Sequence, residues 1–208
     1  MNTSGIGLNE PNQIDWDNYN PGSKYQAPPE AVGVDGKSII YTGQLPTDIV
    51  PEVDSKTNFR TYLLDPIKLV KNGQGPDGYT IRFTRASVKP FERNGKVQNA
   101  SPIGNLLRSA GVTAKPQRTV EYDAAVNAVK GRVVSFTIDW EARDKDSGEQ
   151  VRGYTNFPDD PDRPGRKKAI LKQGDTYKTK EGETKTVTSE VLFANARVRY
   201  FVDTNRGR

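Results

Sequence analysis

Arginine stands beside aromatic residues on three stretches whose side chains alternate as strands do. In YTIRFTR (79–85) Tyr79, Ile81 and Phe83 alternate with Thr80, Arg82 and Thr84, which predicts Arg82 on the face opposite the core. In EQVRGYTNF (149–157) Val151, Thr155 and Phe157 share one face with Gly153, while Arg152 and Tyr154 share the other. In the closing SEVLFANARVRYFVD (189–203), Arg197, Arg199 and Phe201 oppose Val198, Tyr200 and Val202. Guanidinium groups meet phosphates, and exposed rings stack on unpaired bases for about 1–3 kcal/mol each. A duplex hides its base faces, so such platforms point to a single strand. Arg85, Lys89, Phe91 and Arg93 continue the first stretch and join its basic-aromatic set. Cross-strand Arg–acid pairs with partly buried tyrosines would give the same pattern for structural reasons alone.

A second basic element is the loop PDDPDRPGRKK (158–168), where Arg163, Arg166, Lys167 and Lys168 crowd around Pro164 and Gly165. Such a loop can follow a phosphate backbone and would make affinity fall with salt. Asp159, Asp160 and Asp162 supply the opposite reading, a solvated and internally balanced loop. The same three carboxylates could hold a divalent cation, although the acid at position 12 of a calcium loop is missing. Pro158-Asp159 followed by Glu183-Thr184-Lys185 imitates the PD…ExK skeleton of Mg²⁺-dependent nucleases. That chemistry needs the acid and lysine on a buried strand. KTKEGETKT (178–186) has no apolar residue, so a hairpin tip is expected there instead.

What the chain lacks narrows the classes further. It has no cysteine and no histidine. Disulfides, thiolate nucleophiles and zinc ribbons are therefore excluded, as are Ser-His-Asp and His-metal catalysis. No enzyme activity and no cofactor are expected. The 31 basic residues exceed the 26 acidic ones by five, which suits an anionic partner. The distribution is uneven. Residues 1–20 carry Glu10, Asp15 and Asp17 with no base, whereas residues 163–199 carry ten bases against four acids. No run reaches the roughly 18 apolar residues of a membrane span, and the N-terminus has no secretory pattern, so a cytoplasmic location is expected.

Only 33% of the 208 residues are hydrophobic, and glycine and proline are frequent, which describes a loop-rich chain with a modest core. Residues 1–37 read as an N-terminal arm, flexible or strapped onto the domain, with an acidic-aromatic IDWDNY patch (14–19) suited to binding another protein. The domain proper is expected over 38–203, with a basic tail at 204–208. SIIYTG (38–43), FRTYLLDPIKLV (59–70, divided by Pro66) and VVSFTIDWE (133–141) read as strands, and Asn94-Gly95 marks a tight hairpin. SPIGNLLRSAG (101–111) predicts a helix capped by Ser101 and stopped by Gly111, with Ile103, Leu106, Leu107 and Ala110 as its apolar stripe. VEYDAAVNAVKG (120–131) predicts a second. No βαβ rhythm appears, so the expected class is mainly β. The nearest architecture is an oligonucleotide-binding (OB) antiparallel barrel, with one or two short helices.

The order of a β-rich first part, the SPIGNLLRSAGV helix, the VKGRVVSFTIDWEARDKDSGEQVRGYTNF hairpin and the terminal SEVLFANARVRYF strand resembles the single-stranded DNA-binding proteins of tailed bacteriophages. The likeness spans roughly residues 60–203 and rests on layout. It implies an OB barrel that coats single strands during replication, recombination or repair, in the host cytoplasm. It further implies contacts from Arg82, Arg152, Tyr154, Arg197, Arg199 and Phe201. Such proteins often end in an acidic partner-recruiting tail; this chain ends TNRGR, so either the acidic N-terminal IDWDNY does that work or no such recruitment occurs. Replication or recombination proteins are then partners through the arm, with self-association as a further option. A virion assembly protein with a lacing arm is the rival reading.

Overall fold

Val133–Arg143, the longest strand, organises the structure. The computed structural model describes residues 25–70, 78–98, 100–144, 148–179, 181–188 and 191–203. Numbered in chain order, the first half contains β1 (Ile40–Gln44), β2 (Val50–Val53), β3 (Arg60–Leu64), β4 (Ile67–Leu69), β5 (Thr80–Ile81), β6 (Thr84–Ser87), β7 (Glu92–Arg93) and β8 (Lys96–Val97). Helices α1 (Pro102–Ser109) and α2 (Thr119–Asn127) come next, ahead of β9 (Val133–Arg143) and β10 (Gln150–Arg152). The chain ends with β11 (Ile170–Leu171), β12 (Thr176–Lys178), β13 (Thr184–Thr186), β14 (Leu192–Phe193) and β15 (Asn195–Phe201). The protein is mainly β, and all its ladders are antiparallel.

Three strands share β9. Along one edge lies β15, in register from Asn195 opposite Glu141 to Phe201 opposite Phe136. Along the other lie β1, with Tyr41 opposite Phe136, and then β10, with Arg152 opposite Glu141. The sheet continues from β1 through β4 to β5. A separate three-stranded sheet runs β2–β3–β6, and three two-stranded ladders complete the set. Among the described residues the expected barrel does not close. Where its seam would fall, β5 and β15 share no ladder, and Ala196 N–H instead donates to the Tyr79 hydroxyl at 3.2 Å.

The sequence of β9 predicts one buried and one wet face, but both are covered. Val134, Phe136, Ile138 and Trp140 are buried, and so are Ser135, Thr137 and Asp139. Ser135 and Asp139 find local partners, while the buried Thr137 hydroxyl has none among the described residues. Ser135 N–H donates to the Ser109 hydroxyl at the end of α1, and Asp139 accepts from the Trp140 and Tyr154 backbone amides. Trp140 is clamped edge-on by Tyr154 and Phe157, at 4.8 and 5.5 Å between ring centres. Gly43 on β1 allows this packing, because a Cβ there would stand 2.8 Å from Ile67 and 2.9 Å from Phe136.

Helix α1 forms as its residues dictate. Ser101 accepts from Gly104 N–H, Pro102 opens the first turn, and Gly111 takes the left-handed stop at φ 79°. Its stripe of Ile103, Leu106 and Leu107 is buried, a stabilisation of about 1.5–3 kcal/mol per side chain. Helix α2 departs from its expected stripe: Val120 is 65% exposed, and within the helix only Val126 is buried. Polar chemistry anchors it instead. Asp123 receives a fork from Arg60 and a 2.6 Å hydrogen bond from Tyr62. The turn between β7 and β8 has both Asn94 and Gly95 at positive φ, as the Asn-Gly pair requires.

Part of the stretch expected as an N-terminal arm lies against the domain. Residues 25–31 form a strap over β9 and its neighbours. Pro29 C=O accepts the Trp140 indole N–H at 2.8 Å, Tyr41 donates to Glu30 C=O at 2.7 Å, and Tyr25 donates to Ala194 C=O at 3.0 Å. The IDWDNY patch and the 204–208 tail lie outside the described residues.

Candidate nucleic-acid interface

The chain crosses from one sheet to another at Arg82 and Phe83: β5 pairs with β4, while β6 pairs with β3. Phe83 makes the transition in the left-handed region, at φ 56°, and its ring is 69% exposed. Alternation from Tyr79 and Ile81 predicts this ring inside. The reversed backbone turns it outward, while Thr84 takes the next buried position. A non-glycine residue in this region carries strain of about 1–3 kcal/mol, and such residues cluster where a site needs them.

Around Phe83 opens a groove of about 780 Å³, lined by Tyr25, Tyr79, Arg82, Arg85, Glu141, Asn195 and Arg197 among others. Three of the expected cations, Arg82, Arg85 and Arg197, therefore meet here, on β6, β15 and the crossover. Arg82 has no ionic partner among the described residues, and Arg85 pairs with Glu52 at 3.2 Å. Arg197 sits 3.7 Å from Glu141 and 4.0 Å from Asp139. Arg152, on the far side of β9, reaches the same Glu141 at 3.8 Å. Burial raises the Tyr79 hydroxyl above its ordinary pKa.

The remaining expected residues separate. Tyr154 does not face solvent, because Gly153 at φ 101° ends β10 and a single 3₁₀ turn over Tyr154–Asn156 swings the ring beneath Trp140. It is only 6% exposed, and its hydroxyl donates to Glu30. Phe201 is also buried, edge-on to Phe136 at 6.2 Å. The β15 register shifts between Val198 and Tyr200, which exchanges the faces of the last residues and exposes Tyr200 instead. Arg199 is exposed and stacks on Tyr200 at 5.3 Å, outside the groove. Exposed Lys89 and Arg93 and half-buried Phe91 lie beyond β6 and do not line it either.

The basic loop is balanced by two carboxylates of its own and two from outside it. Arg166 pairs with Glu30 at 3.1 Å, Lys167 with Asp159 at 2.7 Å, Lys168 with Asp175 at 2.8 Å, and Arg163 with Asp160 at 2.7 Å. The nuclease-like pattern is likewise dispersed, since Asp159 holds Lys167 and Lys185 is bound to Glu149. Among the described residues no three acidic side chains converge on a metal-sized space. A second cavity, of about 690 Å³, lies against α1 between Leu107, Val112 and Tyr122, and it contains none of the expected basic-aromatic set.

Sequence reasoning missed Phe83 as an exposed ring in the groove, Tyr200 as an exposed ring outside it, and Glu141 as an acid within it. The Arg82-Phe83 adjacency was visible, but no periodicity announces a left-handed phenylalanine. No protein-family model, curated protein or solved structure matches this chain.

Proposed function

We propose that this protein binds single-stranded DNA without sequence preference and carries out no catalysis. The observation that carries the reading is Phe83: an aromatic ring held out to solvent by a strained backbone, amid Arg82, Arg85 and Arg197. An unpaired base stacks on the ring, and the guanidinium groups take the flanking phosphates. The layout resemblance adds the setting, a viral accessory factor in DNA replication, recombination or repair. Fluorescence anisotropy with labelled oligo-dT, competed by a duplex of equal length, tests this directly. The wild type should prefer the single strand, and Phe83→Ala should weaken it about fivefold to a hundredfold, the value of one stacked base. Equal affinity for duplex and single strand, or an unaffected Phe83→Ala variant, would remove the basis of the proposal.

A further inference from the structure

Glu141 is out of place in a groove meant for polyanions. It lines the same space as Arg82, Phe83, Arg85 and Arg197. It also stands between two cations, 3.7 Å from Arg197 and 3.8 Å from Arg152, with side-chain exposures of 42%, 36% and 44% for the three groups. These approaches are too long for hydrogen bonds, and the buried Arg197 Nε has no hydrogen-bond partner among the described residues. The arginine is thus held by charge alone. Asp139, the other acid near Arg197, is only 11% exposed and is occupied by the Trp140 and Tyr154 amides. Only Glu141 is free enough to yield.

We propose that Glu141 is an internal competitor for the nucleic-acid phosphate: it occupies Arg197 and Arg152 in the free protein and is displaced when a strand enters. The inference rests on the single-strand reading above and assigns a residue that sets its affinity. A loosely held, part-exposed ion pair gives way at little cost, and a phosphate offers both arginines the same charge with better geometry. The carboxylate also disfavours anions that lack a base to stack on Phe83, because they would have to displace it by charge alone.

The test compares Glu141→Gln with wild type in oligo-dT titrations across a salt series, with Glu92→Gln as the control for net charge. Glu92 is exposed on β7 and does not line the groove. Removing the competitor should tighten binding about threefold to fivefold. The log–log salt slope should stay within about 0.7, the value of one phosphate contact, of wild type, because the same arginines meet phosphate once Glu141 is displaced. Glu141→Ala removes the same charge without the amide and should act in the same direction, while thermal melts report folding. Tightening that merely equals that of Glu92→Gln, or weaker binding by folded Glu141 variants, overturns the proposal while the parent reading stands. A wild type that does not hold oligo-dT even at low salt refutes both.

Discussion

In the proposed function, Phe83 concentrates the tension between stability and binding in a single side chain. Its φ of 56° suits glycine, and its ring gains nothing from the core while 69% exposed. Phe83→Gly should therefore relieve strain and keep the melting temperature at or above the wild-type value, even as oligonucleotide binding falls with the lost ring. A calorimetric scan beside the anisotropy assay checks both halves of the prediction. A variant that melts well below wild type would mean the ring supports the fold instead. Residue identity carried half of this site. Arginines placed by strand alternation did reach one groove, as Arg82 and Arg197 show. The aromatic assignments on Tyr154 and Phe201 were reversed, because Gly153 and the β15 register shift each change which face the next residues occupy.

At the scale of elements, local chemistry was the most legible part. Ser101, Pro102 and Gly111 delimited α1, Pro66 divided β3 from β4, and Asn94-Gly95 turned the hairpin. The crossing between sheets at Arg82 was not legible, since it depends on which distant strand each segment pairs with. Helix α2 has few buried apolar residues, and its attachment runs through Asp123, Arg60 and Tyr62. The Tyr62 hydrogen bond and then the Arg60 fork hold the Asp123 carboxyl below the usual aspartate range. A depressed carboxylate contributes stability that is full above its unfolded pKa, about 3.9, and disappears as pH falls through its lower folded value. Melting temperature followed from pH 6 down to pH 2 should drop in this acid window, and Asp123→Asn should flatten part of that drop. Parallel curves for the two proteins would show that α2 is held by other means.

Across the whole molecule, the cations of the basic loop are largely committed to carboxylates, so its charge is less available than the sequence suggests. Three groove arginines contacting phosphates predict a shallow salt dependence, a log–log slope near −2 for a single strand. A slope of −5 or steeper in the anisotropy series would instead enlist the loop. The mainly β class was readable from strand periodicity, but barrel closure was not, because β5 ends after two residues at the Phe83 reversal and forms no ladder with β15. The strap has its own spectroscopic consequence. Because the Trp140 indole lies in a dry pocket bonded to Pro29, its emission should be blue-shifted and insensitive to occupancy of the groove. In a Trp16→Phe background, a red shift of that light would report the strap peeling away from the sheet, a local opening separable from global denaturation.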